Sequence, residues 1–160
     1  MTDQLPADAE VTLRRISATT VWDVCALSNT LSPEHRNLVA DNGASIAQAH
    51  FSENAWMRAI YANETIVGFV MLHLGADYDD GIDCPGAFLW RLMVGGAHQR
   101  KGYGEKAIAL IVRDLKARGF TELFTSYGQE TGNAEGFYKR LGFVTTGAMY
   151  DDEVEAVLKF

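Results

Sequence analysis

Cys25 and Cys84 are the only two cysteines in 160 residues, and they stand far apart with no Cys-x-x-Cys pair. That spacing suggests neither a disulfide framework nor a structural zinc site, and two reduced thiols are expected. The histidines, His35, His50, His73 and His98, show no metal-ligand spacing, so no metal is expected. No run of about 18 apolar residues occurs, and no membrane span is expected. The acidic opening Met-Thr-Asp-Gln-Leu-Pro-Ala-Asp-Ala-Glu has neither the basic nor the apolar part of a signal peptide, which points to the cytoplasm. Positive charge is also short: 14 Lys and Arg face 21 Asp and Glu, for a net charge of −7. Without a long basic stripe, such a surface repels nucleic acid and draws in small cations, an attraction that salt weakens.

What is present suits a single domain over residues 1–160, since 48% hydrophobic residues suffice for one core. No internal repeat, low-complexity tract or linker interrupts it. Alternation of Val11, Leu13 and Arg15 with Thr12 and Arg14 predicts a strand from about Glu10 to Ile16. A helical pattern follows from about Thr20 to Asn29, which Pro33 keeps from simply continuing, and a shorter helix is expected over Ser45 to His50. Trp56 to Tyr61 and Ile66 to Leu74 read as a hairpin turning at Asn63-Glu64. Gly75 to Gly86, rich in aspartate, reads as a loop. Phe88 to Val94 is an apolar run suited to a strand covered on both faces. Ala107, Ile108, Ile111, Val112 and Leu115 form one helical stripe between Tyr103 and Arg118, with Gly119 as its stop. Glu122 to Tyr127 is a strand, and a helix capped by Asn133 runs to Leu141 before Gly142. Val144 to Thr146 and Val154 to Phe160 complete the sheet.

The most informative stretch runs from Leu92 to Gly104, a buried strand entering a glycine-spaced basic loop that opens a helix. Such a turn aims backbone N–H groups at one point near the positive end of the helix dipole, a place to hold a diphosphate. Gly102-x-Gly104-x-x-Ala107 also fits the dinucleotide fingerprint, with Glu122 lying 20 residues on. Glu122 opens its strand, however, whereas a ribose-binding acid belongs at a strand's end. A Walker A loop fails because no Gly-Lys-Ser/Thr follows at the required spacing. A merely flexible connection would explain the glycines, but not the clustering of Arg100, Lys101 and Lys106 in an acidic protein.

Gln99-x-x-Gly102-x-Gly104 matches the Q/R-x-x-G-x-G/A signature of the GNAT N-acetyltransferase superfamily. The stretch Asn133-Ala134-Glu135-Gly136-Phe137-Tyr138-Lys139-Arg140-Leu141-Gly142-Phe143 resembles its second signature, N-x-x-x-x-Y-x-x-x-G-F. Within that superfamily, Ala59-Ile60-Tyr61, Val67 to Leu72 and Leu89-Trp90-Arg91-Leu92-Met93-Val94 are similar to the spermine/spermidine (diamine) acetyltransferase group. The resemblance covers roughly residues 51 to 160. It implies an α/β (α+β) fold: a mixed, mostly antiparallel sheet of six or seven strands, flanked by about four helices and splayed at a central parallel pair. It also implies acetyl-CoA as cosubstrate and, as the superfamily's common arrangement, a homodimer. Leu92 and Val94 would bond the pantetheine amides, and an N–H near Met93 would polarise the thioester carbonyl. Gln99, Arg100, Lys101, Gly102, Tyr103 and Gly104 would wrap the pyrophosphate. Asn133, Phe137 and Arg140 would line the far side, and Tyr138 would protonate the departing thiolate. Phenol and thiol ionise at about 10 and 8.5, so that transfer needs little driving force.

The acceptor must be a neutral amine, although alkyl ammonium groups ionise near 10.4. Many superfamily members place a basic Glu on the central strand, where this chain has Trp90 and Arg91. Asp77, Asp79, Asp80, Asp83, Glu53, Asp151, Asp152 and Glu153 are the candidate acids, with Asp77, Asp80, Trp90, Asp151 and Asp152 as the expected substrate contacts. Their number favours a polyamine or diamine as the small-molecule partner. An aminoglycoside-like or protein amine stays open, as does a non-catalytic acyl-CoA sensor. With no cysteine beside the thioester position, direct attack in a ternary complex is expected.

Overall fold

The computed structural model describes residues 4–129 and 134–160. Seven strands form one sheet in the order β1-β2-β3-β4-β5-β7-β6. These are β1 Val11–Arg14, β2 Ala55–Ala62, β3 Thr65–Leu74, β4 Ala87–Val94, β5 Glu122–Tyr127, β6 Val144–Tyr150 and β7 Glu153–Lys159. Every neighbouring pair is antiparallel except β4 and β5. The helices are α1 Val21–Ala26, α2 Pro33–Arg36, α3 Asn42–His50, α4 Tyr103–Ala117 and α5 Glu135–Arg140. Five α-helices therefore stand among the described residues where about four were expected. The addition is α2, a single turn with Pro33 in its first positions and Ser32 as its cap. Proline forbids a helix interior but is pre-organised for a helix start.

Other boundaries differ for similar local reasons. Helix α3 begins three residues early because Asp41 Oδ1 accepts the amides of Gly43, at 2.9 Å, and Ala44. Strand β6 runs four residues past the expected Thr146, through a break in register with β7. The β2–β3 hairpin turns as expected on Asn63, in the left-handed region at φ 51°. The cap expected of Asn133 falls outside the described residues.

The sheet is covered on both faces. Ala107, Ile108, Ile111 and Leu115 of α4 are fully buried against Val70, Leu72, Leu89 and Leu123. At about 1.5–3 kcal/mol for each large apolar side chain buried, this stripe is what fastens α4 to the sheet. On the other face Val24 and Leu27 pack with Phe69, Met71 and Met93. Buried Asn42 joins these layers by donating from Nδ2 to Val24 O at 2.9 Å. Among the described residues, no helix is long and apolar enough to cross a membrane.

After β4 the chain passes close under the turn that follows α1. Gly96 N–H donates to Thr30 Oγ1 at 2.9 Å, and a Cβ on Gly96 would lie 2.2 Å from Thr30 O. Gly96 therefore serves close packing of two backbones. Replacing Gly96 with Ala should cost about 1–3 kcal/mol, the usual range for overpacking. Urea midpoints, read beside Gly86→Ala, whose added Cβ meets nothing within 4 Å, check this.

Candidate active site

Strands β4 and β5 pair over three positions only, Ala87 with Leu123, Phe88 with Phe124 and Leu89 with Thr125. Beyond Leu89 they part. The β3–β4 register shifts at this point, between Met71 and Leu72, which leaves Trp90 as an extra residue on β4. A bulge of this kind bends the strand that carries it. Further along, Gly95 N–H donates to Val67 O at 2.8 Å, which fixes the phase of the β3–β4 ladder. By antiparallel alternation, Met93 spends its main-chain groups on β3, while those of Leu92 and Val94 face the gap. The expectation for Leu92 and Val94 thus fits the ladder. The N–H expected near Met93 to face a thioester would then be that of one of these two neighbours, and Met93 itself lines the cavity. The Val94 carbonyl already accepts Gln99 Nε2 at 3.0 Å, so the Gln99 side chain braces the strand end.

The gap opens into a cavity of about 1020 Å³. Leu92, Met93, Val94, Gln99, Arg100, Gly102, Tyr103 and Gly104 all line it, as do Phe137, Tyr138 and Arg140 across from them. Gly102 caps α4 at φ 81°, a conformation that side chains with a Cβ rarely adopt. It aims the first amides of a 15-residue helix at the cavity, where an anionic diphosphate is favoured. Asn133 lies outside the described residues.

Two of the expected phosphate ligands are engaged elsewhere. Lys101 Nζ donates to Leu5 O at 2.8 Å, and the Tyr103 hydroxyl donates to Pro6 O at 2.6 Å. Lys106 Nζ completes the set on Ala7 O at 2.7 Å. The residues around Pro6 thus form a strap across the start of α4. Lys101 and the Tyr103 side chain are its fasteners, so neither side chain is aimed at the cavity. The Tyr103 ring is itself core, which leaves only its main chain to the cavity.

Tyr138 sits where the strands part. It is buried, stacks on Tyr127 at 5.5 Å and meets Phe137 and Phe143 edge-on. Its hydroxyl bonds with Thr125, whose own Oγ1 donates to Leu89 O at 3.2 Å, the last paired position of β4. Burial pushes the phenol up to about 12, against the opposing pull of the Thr125 hydrogen bond. The near match of phenol and thiol expected from reference values therefore widens. Full transfer to a thiolate at its reference value would be uphill by about 5 kcal/mol. A phenol so placed could serve as an acid only if its proton moved as the bond to the leaving group broke.

At the other end the cavity is walled by Trp90, Phe88, Ile82, Tyr150 and the segment from His35 to Ala40. Of the candidate acids, Asp151 and Glu153 line it. Asp77, Asp80 and Asp152 do not, and the substrate role is corrected for all three. Asp152 lies exposed in the β6–β7 turn. Asp77 accepts Asn54 Nδ2 and the Asp79 amide and bridges to Ile82. Asp80 accepts Ser52 Oγ and His73 Nε2, the latter at 2.8 Å, and His73 packs edge-on against Trp90. These bonds fasten the Gly75–Gly86 loop as a wall of the cavity. Sequence reading had no role for Ser126, Tyr127 and Tyr150; polar Ser126 inside a strand was the one available signal.

The profile of the Acetyltransferase (GNAT) family matches residues 22–143. An acetyltransferase of Thermus thermophilus superposes with a TM-score of 0.75 at 17% identity, over 94% of this chain and 97% of that one. The PaiA N-acetyltransferase of Thermoplasma acidophilum, crystallised with coenzyme A, gives 0.65 at 16% identity, over 94% and 99%. The microcin C7 self-immunity acetyltransferase MccE, crystallised with acetyl-CoA and AMP, gives 0.73 at 15%, over 96% and 94%. No curated protein matches the chain.

The loop wall carries a pH signature. Hydrogen bonds from Ser52 and then His73 hold the Asp80 carboxyl below its ordinary value. A depressed carboxylate contributes stability above its unfolded value, near 3.9, and loses it as pH falls through the folded one. Urea midpoints from pH 6 to pH 3 should fall less steeply for Asp80→Asn than for the parent chain.

Proposed function

Because the chain belongs to the GNAT family and is an acetyl-CoA-dependent N-acetyltransferase, we propose that it transfers acetyl to a primary amine of the diamine or polyamine class. The observation that carries the placement of the chemistry is the fork after Leu89 and Thr125, with the Tyr138 hydroxyl held at its apex. The residues present fit the cosubstrate. Main-chain groups of Leu92 and the Val94 N–H, turned away from β3, suit an amide-bearing arm, and the Gly102-capped helix suits its diphosphate. Arg100 and Arg140 supply cations at the rim of the cavity.

Attack is direct. Neither Cys25 nor Cys84 lines the cavity, and burial raises both thiols away from the reactive thiolate form. The acceptor end supports an amine with an apolar stem. Trp90, Phe88 and Tyr150 offer aromatic walls, and Asp151 stands at the rim to meet a second ammonium group. A net charge of −7 adds long-range attraction for a polycation. Tyr138 is the acid for the leaving thiolate and stays protonated at every working pH.

Tyr138→Phe should lower kcat at least ten-fold, about 1.4 kcal/mol of barrier, with coenzyme A affinity by calorimetry within two-fold of the parent. With spermidine as acceptor, kcat of the parent should show no alkaline decline up to pH 10, since the acid ionises near 12. Unchanged kcat in the variant overturns the role of Tyr138, and absence of turnover with any di- or polyamine overturns the acceptor class.

A further inference from the structure

The central strand of this chain lacks the carboxylate that would free an amine for attack, yet a carboxylate reaches the same place from another strand. Glu153 opens β7 and stands opposite Tyr150 across the turn. Its Oε2 accepts Ser126 Oγ at 2.6 Å. Ser126 directly follows Thr125, the residue that holds the Tyr138 hydroxyl. Glu153 and Tyr138 therefore both hang from adjacent positions of β5, at the mouth of the fork. The other carboxylates on the cavity wall are placed differently. Glu105 belongs to the first turn of α4, at the diphosphate end, and Asp151 is exposed on the turn at φ 52°.

Across the gap on β4 lies Arg91. Its Nη1 donates to the carbonyl of its own neighbour Trp90 at 2.9 Å, and its Nη2 donates to Gln48 Oε1 at 3.1 Å. Nε is buried with no partner, and no carboxylate of the described residues lies within 4.0 Å of the guanidinium. A half-buried cation without a contact counter-ion is costly to keep, so its charge needs a use. A cation beside an amine disfavours the ammonium form of that amine.

We propose that Glu153, oriented by Ser126, takes the proton from the acceptor ammonium, and that Arg91 across the gap biases that nitrogen toward its neutral, nucleophilic form. This rests on the reading of the site as an amine acetyltransferase. The proton leaves R–NH₃⁺ for Glu153 and then passes to solvent. The freed nitrogen pair forms the C–N bond as the C–S bond breaks. Tyr138 gives its proton to sulfur and regains one from the new amide nitrogen, so that one proton is released per turnover. The charged and titratable groups facing Glu153 are Arg91 from β4, Tyr138 from α5, and Tyr150 and Asp151 from β6 and its turn. Asp83 and Glu155 lie beyond it, against the Tyr150 hydroxyl.

The test is the pH dependence of kcat and of kcat/KM for spermidine with the parent, Glu153→Gln, Ser126→Ala and Arg91→Gln, each paired with coenzyme A affinity by calorimetry. Glu153→Gln should lose about 10²-fold at pH 7.5, the usual worth of a positioned base. Its rate should then climb with unit slope toward the free amine's value near 10.4, where the parent has already levelled off. Ser126→Ala, a smaller perturbation, should show a lesser loss in kcat, and Arg91→Gln should move the acid limb of kcat, which reports the bound amine, to higher pH. Coenzyme A affinity should hold in all of them. A Glu153→Gln profile parallel to the parent's overturns the assignment, and so does a loss confined to KM. An Arg91→Gln limb that stays in place overturns the part given to the guanidinium. A parent that binds coenzyme A but acetylates no amine overturns the functional reading itself, a pattern none of the variant outcomes imitates.

Discussion

Two parallel strands that hold together for three positions and then separate leave backbone donors and acceptors facing empty space. Buried main-chain polar groups rarely stay unpaired, so such a parting persists only where something is meant to fill it. Most of the site follows from this constraint. The extra residue at Trp90 bends β4 at the point where pairing stops, and the Thr125 hydroxyl pins the last paired position by bonding Leu89 O. The same threonine meets the Tyr138 hydroxyl. The parting and the Tyr138 phenol are thus one piece of structure, because the residue that ends the ladder also meets the phenol.

The surroundings are arranged to keep that fork rigid on one side and adaptable on the other. Behind β4 lie the fully buried side chains of Phe69, Met71 and Val24, and behind β5 the stripe of α4. The end of the cavity beyond Trp90 is built instead from turns: the Gly75–Gly86 loop, the α2 region and the β6–β7 turn. Loops set on a firm scaffold are where specificity is usually varied, while the scaffold keeps the reacting atoms in line. His73 and Asp80 lend the first of these loops a fixed position by anchoring it to the end of β3.

Much of this was legible in the order of residues, and the limits have physical causes. Strand β5 falls on the residues its alternation indicates, and the α4 stripe is the buried stripe, since both depend on short-range periodicity. In the stretches from Leu92 to Gly104 and from Phe137 to Arg140, all residues but Gly95, Gly96, Ala97, Lys101 and Lys139 line one cavity. The tethers of Lys101 and Lys106 are illegible in the sequence because their partners lie 96 and 99 residues away, a distance that local pattern does not report. Helix α2 was hidden because Pro33 reads as a break before it reads as a start. Asp77 and Asp80 stand in a turn-forming stretch that could as well have faced the cavity. What turns them aside is Asn54, Ser52 and His73, contacts that exist only once β2 and β3 have paired. The bond between Ser126 and Glu153, with Arg91 across the gap, is likewise a product of strand order, with three strands each supplying one residue.

The strap around Pro6 gives the anion-facing corner an unusual dependence on its neighbour in space. Two lysine ammonium groups beside the Gly102 turn are tethered to carbonyl oxygens of that strap. Clipping the chain there with a protease would set both side chains loose next to the helix start. A nicked preparation would then cling more firmly to a phosphate-bearing resin than intact material, although the cut removes no residue from the pocket.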